Sequence, residues 1–267
     1  MNVSGSAVKK TARTALAGNY FKAAVVSSML VFTWLVLTTC FRTLGAVAGG
    51  AVALAFFAAV FVLLFCPLIM GFAYFSVRMI FGSDCEPVTA FKYFSCAKDY
   101  FKAVRLSLIL SGNALFIGIF LFLPSVICSL ISSGEFFKML GMQIPSWASL
   151  FGVLSYILRV AALALLLTVM FKFYLAPFLI AANENLNVSE AMQISKIIAR
   201  VTRKDFIMLI LSFIGYIIAC VFVIPTIFVF PYFASAYAVH CRYAVADYNK
   251  TADVLNAAPN FEADISF

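Results

Sequence analysis

Charge is what this sequence has least of. No Asp, Glu, Lys or Arg lies between Lys22 and Arg42, Arg42 and Arg78, Arg105 and Glu135, or Asp205 and Arg242. Those four intervals are filled mainly by Phe, Leu, Ile, Val and Ala. About 20 apolar residues carry a helix across a bilayer, so each interval is long enough to span and two approach the length of a pair of crossings. With 64% apolar and 11% charged residues, the chain also has too little polar surface for a water-soluble domain of 267 residues. The composition therefore predicts an all-α polytopic membrane protein forming one bundle over 1–267.

Chemistry-bearing patterns are scarce as well. His240 is the only histidine, so a metal site needing three or four ligands has no second imidazole to recruit. The seven cysteines contain no Cys-x-x-Cys pair, which removes zinc ribbons and dithiol redox motifs. Cys40, Cys128 and Cys220 fall toward the outer ends of odd-numbered spans, where a disulfide is one reading and small buried hydrophobes the other. There is no phosphate-binding loop, no dinucleotide fingerprint and no Gly-x-Ser-x-Gly elbow. Asp84 and Glu86 are paired carboxylates on the cytosolic side and read as a helix start. No catalytic residue, cofactor or metal is expected, and the chain does not read as an enzyme.

The net charge of +8 is distributed as a membrane protein requires, not as a nucleic-acid binder. Lys9, Lys10, Arg13 and Lys22 precede any acidic residue. Five cations follow from Arg78 to Arg105, and five more from Lys172 to Lys204. If these segments are cytosolic, only Arg42, Lys138 and Arg159 fall outside. The positive-inside rule then puts both termini in the cytoplasm and makes the number of spans even. Anionic headgroups of the inner leaflet are the expected partners. A membrane-protein partner or a second copy is a further expectation.

Six spans follow: Ala23–Phe41, the Gly45–Gly50 region to Ile80, Leu106–Leu130, a segment within Leu150–Ala181, Phe206–Phe222 and Ile227–Val245. The last two come from splitting one run at Val223–Thr226, because Pro225 cannot donate a backbone hydrogen bond. One kinked helix is the alternative. Ala46-x-Ala48 looks like a leader cleavage site, but the preceding apolar stretch is longer than a leader core and reads as a retained anchor. Gly45 and Gly49 match the small-residue helix-packing motif. Residues 247–267 read as a flexible cytoplasmic tail.

An internal repeat over 5–81, 84–182 and 188–246 organises these spans as three hairpins, each preceded by a basic amphipathic interfacial helix. Tyr20-Phe21-Lys22-Ala23, Tyr100-Phe101-Lys102-Ala103 and Lys204-Asp205-Phe206 open the odd-numbered spans. Pro67, Gly71 and Arg78 recur at identical spacing as Pro231, Ser235 and Arg242, while the fourth span has Ala161 and Lys172. Asn187-x-x-Glu190 and Ser83-x-x-Glu86 resemble capping boxes. In the helix after Asn187, Ala191, Ile194, Ile198 and Val201 share a face expected to lie on the inner leaflet.

Ala15-Leu16-Ala17-Gly18-Asn19-Tyr20-Phe21-Lys22 resembles the opening signature of the bacterial membrane proteins grouped as "domain of unknown function 975". Glu190, Ser195, Phe206, Leu211-Ser212-Phe213-Ile214-Gly215 and Pro231-Tyr232 resemble that family's C-terminal half. Val201, Tyr216 and Asn183 stand where the family pattern expects glycine, tryptophan and aspartate. The resemblance implies an integral membrane fold and no particular activity. Arg159 and Lys172 lie thirteen residues apart, about 20 Å along one helix, so a bilayer-spanning helix leaves at least one of them inside or snorkelling. Arg78, Lys172 and Arg242 are either separate snorkelling cations or a shared pocket for an anionic lipid or ligand. The functional expectation is a non-catalytic accessory or scaffold protein of the cytoplasmic membrane. The alternative is a carrier or lipid-handling protein, to which Pro67, Gly71, Pro231 and Ser235 lend broken helices.

Overall fold

Val8, Ala12 and Leu16 recur every fourth residue between Lys9, Lys10 and Arg13, and the first helix buries those three apolar side chains. In the computed structural model, which describes residues 5–82, 86–134, 137–138, 141, 147–220 and 223–255, all regular structure is helical. Four of the helical stretches are long and apolar enough to cross a membrane: Tyr20–Ala48, Gly50–Ile80, Ala97–Ser133 and Ala148–Ala182. The chain divides into two compact units, 1–107 with 173–267, and 108–172.

In the larger unit, α1 (Gly5–Leu16) meets α2 (Tyr20–Ala48) at a turn where Gly18 adopts φ +86°, a left-handed conformation that costs glycine little. Gly49 (φ +91°) separates α2 from α3 (Gly50–Val60). The packing motif expected of Gly45 and Gly49 is therefore two devices: Gly49 makes the turn, while Gly45 lies against the hairpin partner, a Cβ there coming 3.7 Å from that of Ala53. A π-helical turn, Phe61–Phe65, leads into α4 (Cys66–Ile80). Pro67, the second residue of α4, brings no N–H to the register, and the wide turn absorbs the mismatch.

α4 is the centre of this unit. It packs against α2, against the 3₁₀ turn Pro87–Phe91, and against α8 (Ala176–Ala182) and α11 (Val223–Leu255). Ten of its fifteen residues are buried. Inside lipid, helices gain little from water exclusion and much from close packing, so small residues set the approach. Gly71 is the extreme case, since a Cβ there would sit 1.7 Å from the Ala90 carbonyl oxygen. Ala181 on α8 and Ser235 on α11 are fully buried too.

α5 (Lys92–Ser95) follows the 3₁₀ turn, and α6 (Ala97–Ser133) begins directly after it. α9 (Val188–Leu211) opens on a capping box, in which Asn187 N–H donates to Glu190 Oε2 at 3.2 Å. Ser83, proposed to open a similar box with Glu86, lies outside the described residues, as does Asp84. α9 runs through Lys204-Asp205-Phe206 without a break and ends at Leu211, before the six-residue α10 (Ile214–Ala219). Those three residues therefore do not begin a helix. The buried face of α9 holds Ala191, Ser195, Ile198, Thr202, Phe206 and Leu209 and packs on α8 and α11. Val201, expected on the membrane face with Ile198, is 78% exposed and off that stripe. Pro225 is not a turn residue: it is the third residue of α11, in the first helical turn, where a missing N–H costs nothing. Of the proposed tail, 247–255 continue α11, and 256–267 are outside the described residues.

Three aromatic contacts in this unit fall shortly before a proline. Tyr100 donates its hydroxyl to the Leu63 carbonyl at 2.9 Å, four residues before Pro67. Tyr20 donates to the Phe228 carbonyl at 2.9 Å, three residues before Pro231. Phe206 stacks on Tyr174 at 4.0 Å, three residues before Pro177. Each sets an aromatic ring against the residues just ahead of a proline, and at Leu63 the carbonyl is the one that Pro67, four residues on, leaves without a helical donor. The helix-starting proline of the middle stretch is Pro177, at the head of α8, whereas Ala161 lies within a helix interior.

The smaller unit holds the rest of α6 and α7 (Ala148–Met170). Its large side chains are mostly exposed, among them Leu115, Phe116, Ile119, Phe120, Ile157 and Val160. A continuous apolar surface of this extent suits lipid. Within the unit, Arg159 Nη2 donates to Ser129 Oγ at 3.2 Å and its guanidinium rests on the Tyr156 ring, so this cation is satisfied locally. Phe137 and Trp147 meet edge to face at 5.7 Å at the hairpin end, as residues of an interfacial belt do.

Candidate functional site

The end of α4, the turn between α8 and α9, and α11 enclose a cavity of about 440 Å³. Phe178, Leu179, Leu186 and Val245 give it apolar walls, and Arg242, Asn183 and Asn249 supply its polar atoms. The turn is built locally: Asn183 Oδ1 accepts the Asn185 N–H at 3.0 Å, a bond that an aspartate there would make equally well. Arg242 lies over the Phe81 ring, 4.8 Å from its centroid, and no carboxylate pairs with it among the described residues. A cation on an aromatic face at the mouth of an apolar cavity matches an anionic head with an aliphatic body.

Beside the cavity the same turn carries Glu184, the one acidic residue between Glu135 and Glu190. Its carboxylate pairs with Lys92 and accepts the Tyr74 hydroxyl at 3.3 Å, while its backbone carbonyl accepts Lys102 Nζ at 2.7 Å. Arg78 and Lys92 lie against the Tyr74 ring, at 5.6 and 4.1 Å. Burial pushes the Lys92 amine below its ordinary pKa and Asp99 pulls it back, with Arg78 and Lys102 adding repulsion. Burial likewise pushes the Tyr93 phenol up. Glu184 thus holds a cluster of cations that would otherwise repel, and ties α5 and the start of α6 to the α8–α9 turn.

The three cations expected to share a pocket have different surroundings. Arg242 lines the cavity, Arg78 precedes its wall residue Phe81 by one turn, and Lys172 belongs to the smaller unit. Glu184, Lys92, Lys102 and Tyr74 were not anticipated. The signal that could have found them is Glu184's isolation among cations.

His240 belongs to a separate buried network. Thr202 Oγ1 donates to the Ile198 carbonyl, so it accepts from the Tyr174 hydroxyl at 2.8 Å, and the Tyr174 oxygen takes the His240 Nε2 proton at 3.1 Å. Tyr237 donates to the Tyr174 carbonyl. Every member is satisfied by a neighbour, which makes this a packing element of α8, α9 and α11. No group of three His, Cys, Asp or Glu that could hold a metal occurs among the described residues. The described cysteines Cys40, Cys66, Cys96, Cys128, Cys220 and Cys241 are free thiols.

The family-like motif residues have mostly structural surroundings. Glu190 caps α9, and buried Ser195 accepts the Leu175 N–H at 3.2 Å, a donor orphaned at the start of α8. Ser212 offers its carbonyl to Lys9 Nζ at 2.8 Å at the end of α9, where a cation offsets the helix dipole. Tyr232 is buried beneath Arg13. Gly215 has open space around it, and nothing in the structure explains a glycine there. Comparison with family models, with curated proteins and with solved structures finds no match to this chain.

Proposed function

We propose that this chain is a non-catalytic integral protein of the cytoplasmic membrane that holds an anionic lipid at a basic face and serves there as an accessory or scaffold protein. The observation that carries the reading is the cavity at Arg242: apolar walls for acyl chain, and one cation with no carboxylate partner among the described residues. Four complete crossings are proposed, with α9–α11 as a third, shorter hairpin and both termini on the cytoplasmic side, as the charge distribution asks. Kinship with the "domain of unknown function 975" proteins is part of the same proposal. A carrier is the second reading, favoured only by the proline-headed helices α4 and α8, since the cavity walls are mostly apolar and no carboxylate lines it among the described residues.

The test is binding of short-chain phosphatidylglycerol to the purified full chain in neutral detergent. Arg242→Gln removes a charge-assisted contact of about 1.5–3 kcal/mol, which lowers affinity roughly 10- to 100-fold. Phosphatidylcholine binding should be weak and insensitive to the change. Equal phosphatidylglycerol affinity in the variant would end the reading.

A further inference from the structure

A second cavity, of about 400 Å³, opens where the α1–α2 elbow meets α10 and α11. Leu16, Tyr20, Phe228 and Val229 make its walls, and Arg13, Tyr216 and Tyr232 its polar end. The Tyr20 hydroxyl is already committed to the Phe228 carbonyl, so it fixes the wall and is not available to a ligand. Arg13 is exposed, rests on the Tyr232 ring at 5.5 Å from the centroid, and has no carboxylate partner among the described residues. Beneath it the Tyr232 side chain is 92% buried (8% exposed), yet its hydroxyl finds no hydrogen-bond partner among those residues. Buried hydroxyls are normally satisfied, because an unmade bond costs the full desolvation of the group. Tyr216 packs edge to face on Tyr232 at 5.9 Å, bringing a second phenol to the same end. The helix that supplies Arg13 is held in place independently: Lys9 bonds the Ser212 carbonyl and lies over the Phe213 ring.

We propose that this elbow is a second anionic-lipid site, in which the headgroup phosphate bridges Arg13 and the phenols of Tyr216 and Tyr232 while an acyl chain lies along Leu16, Phe228 and Val229. Charge complementarity selects the occupant: the segment before Asp84 carries only cations, and the cavity behind them is apolar. A buried phenol beside a guanidinium that has no carboxylate partner among the described residues is a donor set for a phosphate oxygen. The site is distinct from the Arg242 cavity and does not depend on it.

The experiment measures binding of short-chain phosphatidylglycerol, short-chain phosphatidylcholine and inorganic phosphate to the full chain, in the wild type and in an Arg242→Gln background. Arg13→Gln should lower phosphatidylglycerol affinity about tenfold in either background, the size of one lost charge-assisted contact, and Arg13→Lys should restore part of it. Tyr232→Phe supplies the readout a structural role would not move. It deletes a buried hydroxyl that makes no hydrogen bond among the described residues, so lipid-free melting should hold or rise while phosphatidylglycerol affinity falls. Phosphatidylglycerol affinity unchanged by both Arg13→Gln and Tyr232→Phe would overturn the proposal. So would inorganic phosphate binding as tightly as phosphatidylglycerol, because the acyl contacts would then contribute nothing. An Arg242→Gln variant that binds like wild type, with Arg13→Gln still weakening it, would refute the first site and leave this one standing.

Discussion

Gly71→Ala is the most incisive single perturbation of the packing. On an isolated helix the exchange favours the folded state by about 1 kcal/mol, since alanine is the better helix former. Here the new Cβ would lie 1.7 Å from the Ala90 oxygen and 2.7 Å from its carbonyl carbon. The obstacle is backbone, so no rotamer change relieves it, and the Pro87–Phe91 turn must move away from α4. Overpacking a fixed site costs about 1–3 kcal/mol and more where backbone shifts. The clash is at the severe end, so the net expectation is a loss of about 2 kcal/mol after the propensity gain. For a chain of this size that lowers Tm by roughly 4–8 °C. Gly118→Ala is the control, because its Cβ meets nothing within 4 Å and should leave Tm level or slightly raised. Thermal unfolding in one detergent, followed by intrinsic fluorescence, reads both. Equal melting of the two variants would refute the close approach of α4 to Ala90 and with it the central position of α4.

Tyr100→Phe should cost about 0.5–1.5 kcal/mol by leaving the Leu63 carbonyl without its donor. In a Pro67→Ala background, which returns an N–H to the helix, the Tyr100→Phe loss should shrink; a full loss in both backgrounds would disprove the pairing. Asn187→Ala should destabilise by about 1 kcal/mol through the α9 cap, read as a fall in helicity and Tm. Glu184→Gln should lower stability and make the remainder more sensitive to low ionic strength, because Lys92 loses its paired carboxylate beside Arg78 and Lys102. Reporter fusions after Lys22 and after Ser195 should read cytoplasm and one near Phe137 the exterior; a reversed pattern would overturn the orientation.

Helical class and membrane character are legible because charge-free runs and basic flanks are one-dimensional signals. The Asn187–Glu190 cap was equally legible, being a four-residue motif. What sequence could not show is which apolar surfaces meet protein and which meet lipid, since both environments accept Leu, Ile and Phe. Ile198 is buried against protein and Val201 exposed, though they differ little in character and lie within one turn of the same helix. Pro225 illustrates the same limit: a proline marks a helix start as readily as a break, and only the described Val223 helix start distinguishes them. For the site, Arg242 could be picked out by its spacing from Pro231, whereas Phe81, Asn183 and Leu186 reach it only through tertiary packing. Glu184 is not legible because a single acidic residue in a turn reads as solvated until Lys92 and Lys102 are seen to reach it.

Native mass spectrometry of the full chain, released from membranes in a mild neutral detergent, tests the central claim most directly. The account predicts retained anionic phospholipid on the wild type, a reduced adduct on Arg242→Gln, and a wild-type adduct on Arg159→Gln, whose guanidinium is satisfied by Ser129 and Tyr156 within its own hairpin. Identical lipid retention by the Arg242 variant and the wild type would contradict it.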